Sequence, residues 1–382
     1  MSVDARLARA GAALQAEQFD VYLATKTADI RWLTGFSRVF DLEQAHVLLV
    51  IAGHLAGGSP QLWLHTDTRY SGAMRPLMAG VLDKLDDERK THSRFLAESA
   101  KALMLATRTP PEPLRIGIEA DLPLYFYRAL TKALDEVLQL PYQLVEKLAF
   151  VEALRAVKDD AEIATMRHAQ SITDAGLMHM LEYLKPGLTE VEAAIELEFY
   201  MRSHGSEGLA FDTILASGPN SAVPHAIPGS RVLQRGDFVL MDFGAKYDDY
   251  RSDMTRTVVL GQADERQRLI YETVLQAQTE AIAMVRPGLD QSAPQTHVNE
   301  LFAAAGFGDL MHGLGHGVGI DIHELPVLGL RLEGQLEVGN VVTVEPGIYE
   351  EGFGGVRIED YGVVTPTGYD DFTQSPKSLI EL

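Results

Sequence analysis

Hydrophobic and polar residues follow two different periods along the first part of the chain. Three segments space their apolar residues as one face of a helix: 5–18, 95–106 and 125–137. Four short apolar runs between them are typical of strands: 21–24, 46–52, 61–65 and 116–119. Because helices and strands alternate, the pattern predicts an α/β domain over residues 1–150.

From about residue 151 the chain changes to longer helices and paired strands. The apolar spacing predicts helices over 160–183, 190–204, 264–285 and 292–305, and strand hairpins over 237–260 and 341–365. Thr189 and Glu192 have the spacing of a capping box, which marks the start of the second helix. Helices followed by an acidic hairpin occur twice, which suggests an internal duplication. We expect residues 151–382 to form a second domain.

Composition limits the chemistry that the chain can perform. It has 382 residues, 46% of them hydrophobic, a formal charge of -21 and no cysteine. Its length favours two domains. Without cysteine there is no disulfide, thiol nucleophile, iron–sulfur cluster or Cys-ligated zinc, so any metal needs carboxylate and imidazole ligands. The acidity argues against nucleic acid or an anionic membrane as partner, because phosphate would be repelled.

Hydropathy along the chain bears on where the protein works. Residues 1–13 mix Asp4, Arg6 and Arg9 into an Ala/Leu pattern and lack the uninterrupted apolar core of a signal peptide. No stretch approaches the ~18 consecutive apolar residues that a membrane-spanning helix needs. We therefore expect a cytoplasmic protein that does not enter a membrane.

The first hairpin places two carboxylates at strand ends. Asp242 closes the apolar run 238–241, and Asp253 follows eleven residues later, a spacing that lets a hairpin return it beside Asp242. Burying a carboxylate is costly unless it is paired or bound to metal. A solvated turn is the alternative interpretation, and Asp248 and Asp249 fit that description.

The second hairpin repeats this arrangement. Glu345 ends the apolar strand that begins at residue 341, and Glu359 lies on the returning strand. His316 stands between the hairpins, flanked by glycines that permit close backbone packing. Four neighbouring carboxylates would repel one another, and two divalent cations would resolve the conflict. Oxygen-rich ligation with one imidazole suits manganese, cobalt or zinc.

The residues around these positions resemble the pita-bread metallopeptidases, which include methionine aminopeptidase, aminopeptidase P and prolidase. Residues 29–36 and 66–70 look like the N-terminal domain of the proline-specific branch, and 154–163 look like its domain junction. The implied fold is an α/β creatinase-type N-terminal domain followed by an α+β pita-bread catalytic domain. Five ligand positions match in order: Asp242 in Met-Asp-Phe-Gly, Asp253 in Ser-Asp-Met-Thr-Arg-Thr, His316 in Gly-His-Gly-Val-Gly, Glu345 in Thr-Val-Glu-Pro-Gly and Glu359 in Val-Arg-Ile-Glu-Asp.

This resemblance implies two divalent ions per chain, manganese ahead of cobalt or zinc. Asp242 would bind one ion, and His316 with Glu345 the other. Asp253 and Glu359 would bridge both ions. A hydroxide that bridges the ions would attack the scissile carbonyl.

The resemblance also implies roles for residues outside the ligand set. Glu345 would accept and return a proton during catalysis. His225 matches the family histidine near the leaving nitrogen, and His323 the one that hydrogen-bonds the developing oxyanion. Three further residues look like substrate-positioning or supporting groups, with a structural role as the alternative: His312, Tyr349 and Arg357.

The large N-terminal domain favours the proline-specific branch over methionine aminopeptidase. Strict dipeptidases often carry an arginine soon after the His-Glu motif to bind the substrate's C-terminal carboxylate. Here Val327 stands in that stretch, and no arginine follows His323 until Arg331. The sequence therefore favours an Xaa-Pro aminopeptidase that also accepts longer peptides. A strict Xaa-Pro dipeptidase is the alternative.

Two further alternatives concern the class of protein. Creatinase and some binding proteins share this fold without the metal site, but all five ligand positions are filled in this chain. A two-metal phosphoesterase would need groups to clamp phosphate, and the site supplies mainly Arg357. The family resemblance further implies a homodimer, with proline-containing peptides as substrates.

Overall fold

The computed structural model describes residues 2–39, 45–107, 113–331 and 333–382. It divides into two compact units, Met1–Arg155 and Ala156–Leu382. Within the described ranges, every helix is too short or too polar to cross a membrane.

The first unit is built on one mixed sheet of six strands. Their order in the sheet is β4-β3-β2-β1-β5-β6, with β1 antiparallel to β2 and parallel to β5. The strands are β1 Val21–Ala24, β2 His46–Ile51, β3 Gln61–Thr66, β4 Lys84–Asp86, β5 Leu114–Glu119 and β6 Tyr142–Lys147. The helices are α1 Val3–Ala16, α2 Thr27–Thr34, α3 Thr68–Met74, α4 His92–Thr107, α5 Leu124–Ala133 and α6 Phe150–Arg155.

The sheet of this first unit is buried because its central strands are apolar on both faces. Every residue of β1 and β2 is buried. Phe95 and Leu96 of α4 pack against these strands in one core, together with Leu130 of α5. The alternation of helix and strand expected from the sequence is confirmed.

The described part of the second unit contains four long helices, thirteen short strands and a short 3-10 helix at Gly218–Ala222. The helices are α7 Asp160–Tyr183, α8 Glu190–Ser203, α9 Glu265–Met284 and α10 Ala293–Ala304. The strands are β7 Gly208–Leu209, β8 Ile214–Ser217, β9 Phe238–Phe243, β10 Ala245–Tyr247, β11 Tyr250–Arg251, β12 Met254–Val259, β13 Gly315–Gly317, β14 Glu324–Leu328, β15 Val341–Val344, β16 Gly347–Glu350, β17 Gly354–Arg357, β18 Asp360–Thr365 and β19 Gly368–Asp371.

Two sheets of this unit carry the candidate chemistry. One has the order β12-β9-β8 and the other β14-β13-β15-β18-β19. Each follows a pair of helices along the chain, α7–α8 and then α9–α10, the order that the sequence suggested. The helix predicted over 160–183 matches α7 at both ends. The segment predicted as a helix over 125–137 instead passes from α5 into a π-helix at Leu134–Leu138.

Strand register brings the candidate ligands towards one another. In the first sheet Asp242 of β9 pairs with Thr255 of β12, so Asp253 follows the hairpin back to the same end. In the second, Val344 pairs with Asp360, which sets Glu345 opposite Glu359 at the ends of β15 and β18. The backbone N–H of Glu359 donates to the carbonyl of Thr255 at 3.1 Å and joins the two sheets.

Candidate metal centre

The predicted ligands meet in one pocket of the second unit. Its lining contains all five of them, and its volume is about 840 Å³. Ligand atoms of Asp253, His316 and Glu359 lie within 4.8 Å of one another. The Nε2 atom of His316 lies 3.5 Å from Asp253 Oδ2 and 3.4 Å from Glu345 Oε1. Residues more than a hundred positions apart in the sequence thus offer ligand atoms to one small volume.

The tautomer of His316 leaves a lone pair directed at the carboxylates. Its Nδ1 lies 3.0 Å from the carbonyl of Gly317, so the ring donates there and keeps Nε2 unprotonated. Burial lowers the pKa of His316 to about 4, and His323 acts in the same direction. A neutral imidazole with a free Nε2 is the form that binds metal.

Burial and mutual repulsion act on the carboxylates. Burial raises the pKa of Asp253 well above its ordinary value, and Asp242 and Glu345 raise it further. Burial, then Asp253, raises the pKa of Glu359 in the same way. For Glu345 burial outweighs the opposing charge of Arg357, and the pKa rises to about 8. The cluster therefore disfavours its own negative charge and would be stabilised by bound cations.

One oxygen of Asp242 provides a further test of whether the residues fit a cation. Asp242 Oδ2 accepts a hydrogen bond from Arg357 Nη2 at 2.5 Å. Asp242 Oδ1 is buried and has no hydrogen-bond partner among the described residues. A buried carboxylate oxygen is rarely left unsatisfied. This oxygen, the raised carboxyl pKa values and the free imidazole nitrogen together fit divalent cations.

Arg357, Tyr349 and His312 form a chain of hydrogen bonds behind Asp242. Arg357 Nη1 donates to the Tyr349 hydroxyl at 2.7 Å, and that hydroxyl lies 2.9 Å from His312 Nε2. His312 Nδ1 lies 2.8 Å from the carbonyl of Gly313, so it carries the proton and Nε2 accepts from tyrosine. Burial lowers the pKa of His312 to about 4, consistent with a neutral ring.

His225 and His323 line the same pocket but differ in their surroundings. His323 stacks edge-on against His316, with ring centroids 4.3 Å apart. Burial, and then the neighbouring His225, lower the pKa of His323. His225 is exposed on the loop that follows β8. Tyr349 is the one predicted site residue absent from the lining, since it lies behind His312 and Arg357.

Sequence reasoning missed the groups that fix the carboxylates. The Thr255 hydroxyl accepts from Arg357 Nε at 3.0 Å and donates to Glu359 Oε2 at 2.6 Å. Arg256 is buried and donates to the carbonyl of Glu359 at 2.6 Å and to Asp360 Oδ1 at 2.6 Å. An arginine inside the otherwise uncharged strand β12 is the signal that could have identified this support.

Two glycines next to His316 allow the close packing of β13. A Cβ atom on Gly315 would lie 2.1 Å from the carbonyl oxygen of Thr343. One on Gly317 would lie 2.3 Å from the carbonyl oxygen of Leu325. The strand can fit between its neighbours, and hold His316 at the carboxylates, only with glycine at both positions.

Two family profiles match the chain in succession. The creatinase/prolidase N-terminal domain matches residues 6–157, and metallopeptidase family M24 matches residues 164–366. The matches confirm the expected fold, with a creatinase-type domain followed by the pita-bread catalytic domain.

Relatives and solved structures agree with these matches. A peptidase of Bacillus subtilis named YqhT is 36% identical over 368 residues, 95% of this chain and 96% of its own. The structure of an Xaa-Pro dipeptidase from Bacillus anthracis covers all of both chains at 33% identity, with a TM-score of 0.88. That of an X-Pro aminopeptidase from Thermotoga maritima covers 97% of this chain and 100% of its own, at 28% identity and a TM-score of 0.80. The chain belongs to metallopeptidase family M24.

Proposed function

We propose that the protein is a metal-dependent exopeptidase that hydrolyses the Xaa-Pro bond at the N-terminus of peptides. The observation that carries this proposal is the pocket in which Asp253, His316 and Glu359 offer ligand atoms within 4.8 Å of one another. Asp242, Glu345, His225 and His323 line that same pocket. A site that would hold cations beside the neutral imidazole of His323 is suited to hydrolysis of an amide.

Two divalent ions held by the five ligands, manganese ahead of cobalt or zinc, would polarise the scissile carbonyl and lower the pKa of water. Asp242 would bind one ion, and His316 with Glu345 would bind the other. Asp253 and Glu359 would contribute ligand atoms to both. The side chains that hydrogen-bond these ligands, Thr255 and Arg357, fix their orientation.

The protein's own residues would move the protons. A carboxyl Oε of Glu345 would accept a proton during attack and return it as the tetrahedral intermediate collapses. His323, which is neutral because its pKa is lowered, would donate an N–H to the oxygen that becomes an oxyanion. His225 would stand beside the leaving nitrogen, which in a bond to proline is tertiary and has no hydrogen of its own.

The length of the substrate is the finer part of the proposal. Val327 lines the pocket and pairs with His316 across β13 and β14. An arginine at this position could bind the C-terminal carboxylate of a dipeptide substrate. The apolar side chain of Val327 favours an aminopeptidase that also accepts Xaa-Pro-Yaa peptides. A strict Xaa-Pro dipeptidase is the second candidate, favoured by the name of the Bacillus anthracis structure.

Comparison of Ala-Pro with Ala-Pro-Gly in the presence of manganese tests the proposal. We expect both to be cleaved at the bond before proline, and chelation to abolish cleavage. Val327→Arg should shift the ratio of kcat/KM towards the dipeptide, and Val327→Leu is the matched control. Cleavage of the dipeptide alone by the wild type would favour the second candidate, and full activity in metal-free protein would refute the metal requirement.

Two wider expectations belong to the same proposal. The homodimer implied by the family would be checked by light scattering of the purified chain. A creatinase-like or purely binding protein is the alternative class. It predicts no release of the N-terminal residue from any proline peptide.

A further inference from the structure

Helix α8 presents a stripe of large apolar side chains to solvent. Val191, Ile195 and Phe199 recur every fourth residue and are 40%, 61% and 67% exposed. The opposite face, with Ala193 and Leu197, is buried in the core of the unit. Contiguous exposed apolar side chains can mark a ligand-binding groove, whereas single exposed apolar residues need no explanation.

This stripe runs into the pocket that holds the candidate metal ligands. Val191 and Ile195 line that pocket, and so do Ile227 and Pro228 from the loop that follows β8. Ile227 is 89% exposed, although it is among the most hydrophobic residues. We call these four residues the α8 wall. The pocket thus has a charged end at the carboxylates and an apolar end at the α8 wall.

The carboxylate of Glu190 connects helix α8 to the loop that carries Ile227 and Pro228. It is buried at the start of α8 and accepts a hydrogen bond from the backbone N–H of Ser217 at 2.8 Å. It also accepts from the Asn220 side chain at 3.1 Å and from the N–H of Gly229 at 3.2 Å. The loop that carries Ile227 is therefore held against α8 before any ligand arrives, which reduces the entropy lost on binding.

His225 indicates which part of a peptide would reach the α8 wall. It stands two residues before Ile227 on the same loop and lines the same pocket. In the proposed function His225 lies beside the leaving nitrogen, so the wall lies on the leaving side of the scissile bond. The pocket volume of about 840 Å³ is near the upper end of the range for small-molecule pockets, roughly 300–1,000 Å³. Space therefore remains for residues beyond a dipeptide.

We propose that the α8 wall is a binding subsite for the residue that follows proline, and that it selects an apolar side chain there. This inference rests on the proposed function and gives it a substrate class, peptides of three or more residues of the form Xaa-Pro-apolar. Glu198 and Asp212 also line this pocket, and their charge would disfavour an acidic residue at that position.

The test compares kcat/KM for Ala-Pro-Leu with that for Ala-Pro-Gly. We expect wild-type protein loaded with manganese to favour the leucine peptide by about tenfold, the usual scale for an apolar side chain in an open apolar pocket. Ile195→Ser should bring the ratio close to one. Leu269→Ser, which removes an exposed leucine from α9 outside the pocket, is the matched control and should keep the wild-type ratio.

Each of the other outcomes would contradict the inference, and each would do so for a different reason. Equal rates on both tripeptides in the wild type, or an unchanged ratio in Ile195→Ser, would refute the α8 wall as a subsite and leave the proposed function intact. Cleavage of Ala-Pro alone would overturn it in favour of a strict dipeptidase. Loss of a larger assembly in Ile195→Ser by light scattering would show that a second copy covers the stripe. No cleavage of any of these peptides would overturn both proposals.

Discussion

At the scale of single residues, the carboxylates of the site are arranged as cation ligands, and this arrangement lowers the stability of the metal-free protein. Asp253 is 4% exposed and lies near Asp242 and Glu345, which raise its pKa. Asp253→Asn keeps the shape of the side chain and removes its charge. We expect turnover to fall at least a hundredfold, because a ligand proposed for both ions is lost, while the metal-free variant melts no lower than metal-free wild type. Calorimetry with chelator and a peptidase assay check the two effects; a less stable metal-free variant would contradict this account.

Glu345 gives the metal-free protein a defined dependence on pH. Its pKa is raised from 4.5 to about 8, so the folded state binds this proton more tightly than the unfolded state. The corresponding stabilisation is complete below about 4.5 and is lost as the pH rises through about 8. As the pH rises between these values, we therefore expect the free energy of unfolding to fall more steeply for metal-free wild type than for metal-free Glu345→Gln. Urea titrations across this range measure the difference. Parallel curves would contradict the prediction, and saturating manganese should flatten the wild-type curve.

Some of these residues could be predicted from the sequence and others could not. Asp242 lies near the end of β9 and Asp253 directly precedes β12 on the same short hairpin, so local pattern and spacing already indicate that they are close. The contact between Arg357 and Asp242 spans 115 residues and depends on how two sheets meet. The Thr255 hydroxyl is equally inconspicuous in the sequence, since a threonine in a strand needs no special role. Tertiary packing decides such contacts, and no local period encodes them.

At the scale of elements, a buried ion pair supports the loop between His316 and His323. Lys158 Nζ lies 2.7 Å from Glu324 Oε1, and the two side chains are 1% and 2% exposed. Glu324 begins β14 directly after His323, and a Cβ atom on Gly319 would collide with its carboxylate. The loop is therefore folded around this carboxylate, which Lys158 neutralises.

Lys158→Met should destabilise the protein by about 3–5 kcal/mol, because it leaves Glu324 buried without its lysine. Lys158→Met with Glu324→Gln should recover much of this loss, since both charges are then gone. Urea unfolding of the three proteins gives the values. Arg268→Met is the control: it removes an ion pair to Glu381 whose side chains are 41% and 36% exposed, and should cost less than about 1 kcal/mol. Equal losses in the single and double variants would contradict the pairing.

Element prediction succeeded where one period extends over many residues. Helix α7 has 24 residues with a capping box at Asp159, and its bounds follow from the sequence. Strand β13 has three residues, two of them glycine, and carries no periodic signal. Helix α2 has only eight residues, and seven of them are buried, so it lacks the polar face that identifies a surface helix. These two elements therefore escaped prediction.

At the scale of the whole molecule, each compact unit has a hydrophobic core of its own. Both tryptophans, Trp32 and Trp63, belong to the first unit, and all proposed metal ligands belong to the second. We expect manganese to stabilise the second unit by about 4 kcal/mol at a thousandfold excess over Kd, and so to raise the unfolding midpoint seen by far-ultraviolet circular dichroism. The midpoint seen by tryptophan fluorescence should stay where it is. Asp253→Asn is the control that should abolish the shift, and equal shifts in both signals would show that the units unfold together.

The formal charge of -21 has little to do with catalysis. Four carboxylates are proposed to bind cations, and two divalent ions would bring the charge only to about -17. The remaining acids repel other acidic chains and keep the protein dispersed. The position of four carboxylates on two hairpins therefore matters more for function than the number of acids in the chain.

Arg256 has a consequence for how the enzyme would acquire its ions in a cell. It fixes the backbone at Thr255 and Glu359 with hydrogen bonds of 2.9 Å and 2.6 Å, so the cage has its shape before an ion enters. A preformed cage of oxygen and imidazole ligands does not choose among divalent ions by refolding, so the availability of each ion contributes to which one is bound. The metal recovered with the purified enzyme would then record the trace-element supply of the culture from which it came.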